Sequence, residues 1–232
     1  MIPEPSHVAP IGGARRMIAR KMMESLASTA QLSFTTRVDA TALVAARATW
    51  KQAGVAAGYE DLILIALRDT LLEFPRLNAV ATADALKIYD EICVSVAVAL
   101  NDSLVAPALP DLRGMALPDI VAARRALVDR ARAGKLTVAE MSFGTFTISN
   151  IGTTRVDHFT PILNGGQVGI LGIGRIAPLL FLRDDGQVAS RPEISLSLTT
   201  DHRVIDGAPS GAFLSALAAR VEGMPPPVEG AG

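Results

Sequence analysis

His202 is one of three histidines in a chain of 232 residues, and it stands in the run SLSLTTDHRVIDGAPSG over positions 195–211. The alternation of apolar and hydroxyl residues stops at Asp201, so the imidazole falls just past a strand end, where a rigid support can project it into a cleft. An imidazole there can take a proton from a thiol or hydroxyl and return it to the leaving group. Asp206 and Gly207 follow at fixed spacing. The glycine would permit a sharp turn, and the acid could pin the loop through Arg203 or another arginine. Spacing alone leaves a second reading open, with His202 as a surface-loop histidine and Asp206 as the N-cap of the helix that follows.

A second hydroxyl site lies in TFTISN, where Thr145, Thr147 and Ser149 share one strand face and Phe146 and Ile148 the other. Ser149 ends that strand and could donate to a developing oxyanion, although most serines so placed only satisfy a strand end. GIGRIA, Gly172 to Ala177, has the glycine spacing of a dinucleotide loop, yet Pro178 and the aperiodic LLFLRDDG offer no helix to present amides to phosphate. His158 has no second histidine or cysteine at ligand spacing, so no metal is expected. Met17, Met22 and Met23 read as core filling.

The elements that must position these groups follow from periodicity. Residues 1–13 hold three prolines without a period and read as an extended arm or linker remnant, with His7 solvated. From Ala14 to Ser28, Ile18, Met22 and Leu26 recur every fourth residue, which predicts an amphipathic helix with a core-facing stripe. QLSFTTRV alternates as a strand, and Asp39 is placed to cap a helix ending near Gly54. A second helix from about Tyr59 must end at Phe74, because Pro75 cannot continue it. ICVSVAVAL is small or apolar on both faces and predicts a central, buried strand. A helix over 118–133 ends at Gly134, and TVAE at 137–140 has capping-box spacing. Three strands, FGTFTISN, QVGILGIG and EISLSLTT, precede a last helix from about Ala208 to Val221. The residues after it, 223–232, have the composition of a flexible tail. One α/β domain over 14–222 is expected, with helices against one large mixed sheet.

Composition narrows the function. Half of the residues are hydrophobic, enough for a sizeable core, and 22 Lys+Arg against 23 Asp+Glu leave a net charge of -1. Such a balance supplies no global basic field for nucleic acid or an anionic membrane. The apolar stretches are far shorter than the roughly 20 residues that span a bilayer. A single cysteine, Cys93, cannot build an internal disulfide framework, and the opening residues lack the charged-then-apolar order of a secretory signal. A cytoplasmic, reducing compartment is expected.

Taken together, DHRVIDG at a strand end and FTISNIG upstream resemble the dihydrolipoamide acyltransferases, the transferase cores of 2-oxo acid dehydrogenase complexes. The likeness extends to RRMIARKMMES at 15–25, to DRARAGKLTVAEMSFGTFTISNIG, and to FTPIL followed by VGILGIGRI, and so covers nearly all of residues 10–222. It implies a chloramphenicol acetyltransferase-like two-layer sandwich, a mixed sheet flanked by helices, assembled as a homotrimer with active sites between subunits. It implies acyl transfer between a dihydrolipoyl thiol and coenzyme A without a metal. The family's general base then falls on His202 and its oxyanion donor on Ser149, while Asp206 takes an orienting role. STAQLSF and the small residues nearby favour an acetyl donor.

Three departures accompany the resemblance. No lipoyl or peripheral-subunit-binding domain is present, so the lipoyl arm is expected from another domain or protein. The last residues, ARVEGMPPPVEGAG, are not the apolar segment that docks family trimers into shells, so a trimer that assembles no further is expected. Gly165 and Gly166 stand where the family often has proline after Asn164, which predicts a looser loop. Two rivals stay open on sequence. A stand-alone O-acetyltransferase would usually carry a second histidine where this chain has Asp201, and a non-catalytic core subunit would not need His202 and Ser149.

Overall fold

The computed structural model describes residues 4–100 and 103–226. After an exposed stretch without regular structure comes α1 (Gly13–Ser28), then β1 (Gln31–Asp39), α2 (Thr41–Gln52), α3 (Tyr59–Glu73) and a single 3-10 turn (Pro75–Leu77). Five short strands follow: β2 (Ala79–Ala81), β3 (Leu86–Ile88), β4 (Val94–Val96), β5 (Val98–Ala99) and β6 (Leu104–Val105). The chain continues through α4 (Leu117–Arg132), β7 (Phe146–Asn150), β8 (Gly169–Leu182), β9 (Val188–Asp201) and α5 (Gly207–Glu222). Residues 1–3 of the expected arm and 227–232 of the expected tail lie outside the described residues.

The main sheet has the order β1-β9-β8-β7-β4. β9 pairs antiparallel with β1 and β8, whereas β7 runs parallel to β8 and β4, so the sheet is mixed as expected. Alternation decides the two faces. Phe146 and Ile148 point into the core, where the Phe146 ring lies 6.0 Å from that of Phe213 on α5, and Phe213 meets Phe74 edge-on at 5.6 Å. α5 packs on β1 and β9, and α3 is enclosed by α2, α4 and α5. That enclosure explains why Leu62, Ile63, Leu64 and Leu67 are all buried, since a helix apolar all round needs neighbours on every side.

The opposite face carries Thr147 and Ser149 and is crossed by α1, which is pinned where Ser25 Oγ donates to the Leu163 carbonyl at 2.7 Å. Local signals set the helix ends. Asp39 accepts from the Thr41 amide at 2.8 Å, α3 stops before Pro75, and Gly134 takes φ +67 after α4. Thr137 and Glu140 form the reciprocal pair their spacing implied, with amide bonds of 2.7 and 3.2 Å, around one turn.

Three expectations are corrected. The stripe of α1 does not face the core: Ile18 and Met22 are half-buried at the edge of a cavity, and Leu26 is 48% exposed. ICVSVAVAL is not a central strand. Only Val94–Val96 joins the sheet, at its edge, and Val98–Ala99 turns into a hairpin with Leu104–Val105. It is buried because residues 107–109 cover the edge, with Val96 N–H bonding the Pro107 carbonyl and Leu109 N–H the Val94 carbonyl. The strand read from QVGILGIG does not stop at Gly174: β8 runs on through LLFL to Leu182 and forms the outer half of a hairpin with β9, which closes through Leu182 opposite Val188 and Gly186 at φ +79. Leu180, Leu182 and Val188 near its tip are exposed by about 70%. On the other face Leu179 and Phe181 are half-buried, with the Arg191 guanidinium 5.0 Å over the Phe181 ring, so burial alternates although the residue types on both faces are apolar.

Candidate functional site

The strand-end histidine is held by backbone and by a buried acid. The His202 amide donates to the Ala30 carbonyl at 2.8 Å, and the Ala30 amide returns a bond to Asp201 Oδ1 at 3.3 Å. Asp201 is 1% exposed and receives the Arg203 guanidinium at 2.6 and 3.0 Å together with the Arg203 amide at 3.1 Å. Burial alone would raise its pKa, but the bonds from Arg203 and Ala30 more than offset that and hold the carboxyl below its ordinary value. The loop is therefore pinned by Asp201.

The pinning role expected of Asp206 is corrected. Its carboxylate is 84% exposed and reaches no arginine; the nearest partner is His202, with Nδ1 3.9 Å from Asp206 Oδ1. The reason is direction: Asp201 ends a strand with its side chain turned under the loop, whereas Asp206 occupies the N-cap of α5 and faces water. Gly207 has no positive φ and begins the helix, so no sharp turn rests on it. His202 itself is 46% exposed on its side chain and free to meet a substrate.

Ser149 sits at the other end of the sheet. Its half-buried hydroxyl has no hydrogen-bond partner among the described residues, and it opens with Thr147 into a cavity of about 350 Å³. The walls are apolar: Met17, Ile18 and Met22 of α1, Met141, Phe159 and Ile170. Lys21, Met141 and Asn164 also border a second, more polar cleft of about 900 Å³ that contains Cys93, so the two spaces adjoin. Below Ser149 the floor is locked by a chain in which Asn164 donates to Thr147 at 3.3 Å and Thr147 to Gln167, whose amide reaches the Gly144 carbonyl at 2.9 Å.

The loop at Gly165 and Gly166 is a tight turn rather than a loose one. Its φ values of +22° and +81° are closed to proline, and Gln167 N–H returns to the Asn164 carbonyl at 3.1 Å. The glycines of GIGRIA serve close packing instead of a dinucleotide. A Cβ on Gly174 would lie 1.7 Å from the Asp157 carbonyl oxygen, and one on Gly172 3.0 Å from the Phe159 ring. They let the 151–157 loop cross β8 where its register shifts between Ile173 and Ile176.

His158 is exposed, and among the described residues no group of three His, Cys, Asp or Glu side chains could hold a metal ion. Burial pushes the Cys93 thiol up to about 11, which leaves it a poor nucleophile. Sequence reasoning missed the pinning role of Asp201, whose signal was its place as the last inward-facing residue of β9. It also missed Asn150 and Glu60, described below.

The structure does not bring His202 and Ser149 together within one chain. Ser149 is opposite Gly172, Gly172 is opposite Ser197, and His202 lies five residues beyond Ser197. Two strand spacings across and five residues along amount to roughly 19 Å.

A mixed sheet flanked by helices, with a histidine at one strand end and a serine-lined cavity toward the other, is a fold of the chloramphenicol acetyltransferase type. A chloramphenicol acetyltransferase superposes with a TM-score of 0.54 at 20% identity over 88% of this chain and 94% of its own, a likeness of fold alone. The chain belongs to the family of 2-oxoacid dehydrogenases acyltransferase (catalytic domain), which it matches over residues 3–226. It is 32% identical over 218 residues to the dihydrolipoyllysine-residue acetyltransferase component of the acetoin cleaving system of Bacillus subtilis, covering 92% of this chain and 54% of that protein. It is 34% identical to the dihydrolipoyllysine-residue succinyltransferase component of the 2-oxoglutarate dehydrogenase complex of Haemophilus influenzae, covering 88% and 51%. The chain thus spans about half the length of these curated relatives. The crystal structure of the Azotobacter vinelandii dihydrolipoamide acetyltransferase superposes with a TM-score of 0.86 at 28% identity over 96% of both chains. In that enzyme a serine, a histidine and an asparagine four residues after the histidine were investigated for their role in the catalytic mechanism.

Proposed function

We propose that the chain transfers an acyl group between a dihydrolipoyl thiol and coenzyme A as a core component of a 2-oxo acid dehydrogenase complex. The observation that carries this reading is an unpartnered Ser149 hydroxyl in an apolar cavity, with an exposed, backbone-anchored His202 too distant to serve it in the same chain. A second copy must bring its His202 to that cavity, which supports a homotrimer with sites between subunits.

Each group then has one task. His202 takes the proton of the attacking thiol, and the thiolate adds to the thioester carbonyl carbon. Ser149 donates to the resulting oxyanion, where a preorganised donor is worth most. Collapse breaks the old carbon–sulfur bond, and the imidazolium returns its proton to the departing thiolate. Asp206 stands four residues after His202, as the asparagine does in the Azotobacter enzyme, and orients the imidazole at its rim. Coenzyme A and the lipoyl group, the latter carried on a separate lipoyl domain or protein, are substrates, and the chemistry needs no metal. Asp201 is committed to Arg203, which leaves it unavailable as a second base and weighs against the O-acetyltransferase reading. The one cysteine, half-buried, suits a reducing cytoplasmic compartment.

The acyl group is read as acetyl, supported by the acetoin-system relative and by the small residues of STAQLSF; the succinyl relative keeps the comparison necessary. A panel of acetyl-, succinyl- and isobutyryl-coenzyme A offered free dihydrolipoamide, with an alcohol panel alongside, tests reaction and donor together. Thioester exchange fastest with acetyl is expected. Transfer to alcohols but not to dihydrolipoamide would overturn the reading.

A further inference from the structure

Immediately after Ser149 the chain makes a turn that depends on one amide side chain. Asn150 Oδ1 accepts from the Gly152 amide at 2.8 Å, and Asn150 Nδ2 donates to Glu60 Oε2 at 3.1 Å. The turn has no slack: Ile151 N–H bonds the Ile173 carbonyl at 3.1 Å, and a Cβ on Gly152 would lie 2.5 Å from the Gly174 carbonyl oxygen. An asparagine amide can sit either way round, and only one way offers its oxygen to Gly152. An ionised carboxylate accepts and never donates, so Glu60 selects that orientation.

The charges around Glu60 leave it to this task. Its neighbour Asp61 is fully buried, caps α3 through the Gly58 amide at 2.7 Å, and takes the Arg124 guanidinium in a two-pronged pair. Arg124 is thereby occupied, and Asn150 is the hydrogen-bond partner Glu60 retains. Burial raises the Glu60 pKa, Arg124 and Asn150 partly oppose that, and Asp61 adds to it. A carboxylate with a raised pKa destabilises the folded chain when ionised, and an apolar residue in this place in the first turn of α3 would avoid that cost. Its place at a half-buried position, bonded to the residue that follows Ser149, points to another role.

We propose that Glu60 is a positioning residue for acyl transfer: its carboxylate fixes the orientation of the Asn150 amide, and through Asn150 it holds the turn that aims the Ser149 hydroxyl. The inference rests on the reading of Ser149 as the oxyanion donor, so its test has a readout independent of turnover. In Glu60→Gln, which keeps the shape but can donate as well as accept, and in Glu60→Ala, hydrogen exchange of the segment 149–154 should quicken. The kcat should fall roughly tenfold with both KM values unchanged, as expected for a misaimed donor. Glu60→Gln should melt no lower than the parent at pH 8, since a charge penalised by burial is gone. A double variant with Asn150→Ala should lose no more kcat than Asn150→Ala alone.

Unchanged exchange in both variants overturns the proposal whether or not the parent protein turns over. So does a kcat loss that appears only together with a lower melting temperature and altered KM values, because that is the mark of a structural role. A parent protein inactive with every donor would instead strike the functional reading, and the exchange measurement would still decide on Glu60.

Discussion

His202 and Ser149 share a property that the buried polar groups around them lack: neither side chain is spent on a strong partner. Thr147, Thr199, Gln167 and Asp201 are all buried and bonded, whereas His202 and Ser149 face open space. For His202→Ala we expect turnover to fall by about 10²–10⁴, the contribution of a positioned base, with the thermal melt unchanged because the anchor is the backbone amide. For Ser149→Ala the expected loss is about 2.7–4 kcal/mol of transition-state stabilisation, read as kcat; an unchanged rate would return Ser149 to a structural role. Asp201→Asn should do the reverse, lowering stability by about 1.5–3 kcal/mol, discounted toward the lower end because Arg203 is 39% exposed. The pH dependence has a definite sign. The folded pKa of Asp201 is depressed, so its contribution is present above the unfolded carboxylate range near pH 4 and lost as pH falls through the lower folded value. Acid melts from pH 6 to 3 should show the parent losing this increment and Asp201→Asn lacking it.

At the scale of elements, the tightest joint is where the 151–157 loop crosses β8. Gly174→Ala places a methyl 1.7 Å from a backbone oxygen that cannot rotate away, so a loss of about 3 kcal/mol or more in denaturant unfolding is expected. Gly211→Ala on α5 meets nothing within 4 Å and should be neutral or mildly stabilising. These joints also mark how far the sequence could be read. Helix limits were legible because Pro75 and Gly134 act within a few residues of themselves, as does the Thr137–Glu140 pair that closes the turn after α4. The role of ICVSVAVAL was not legible, because a strand covered at its edge by residues 107–109 has the same apolar faces as a central one. The hairpin of β8 and β9 was read at half its length because LLFL is apolar on both faces, so the alternation of exposed Leu180 and Leu182 with half-buried Leu179 and Phe181 left no mark in residue type. At the candidate site, the motifs singled out His202 and Ser149 for the roles proposed above. Which acid holds Arg203 depended on the direction of a side chain at the end of β9, and spacing carries no such information.

For the whole molecule, the roughly 19 Å between His202 and Ser149 governs what one chain can do alone. On the proposed reading, each chain offers the base of one site and the oxyanion donor of another. Mixing His202→Ala with Ser149→Ala chains, each nearly inactive, should restore about a quarter of parental activity after co-refolding, because one interface in four pairs an intact His202 with an intact Ser149. Recovery of nothing would place both groups in one chain. Light scattering should give three times the chain mass; 24 or 60 copies would show that trimers assemble further. Exposed Leu180, Leu182 and Val188 at the hairpin tip form one apolar surface for such contacts. The divided site also has a consequence in time and concentration. On that reading a newly made chain, or one diluted below its dissociation constant, holds a base with no donor facing it and a donor with no base, and is chemically silent. Thioesters in the surrounding solution are then safe from half-formed enzyme, and activity should vanish on dilution more steeply than protein concentration does.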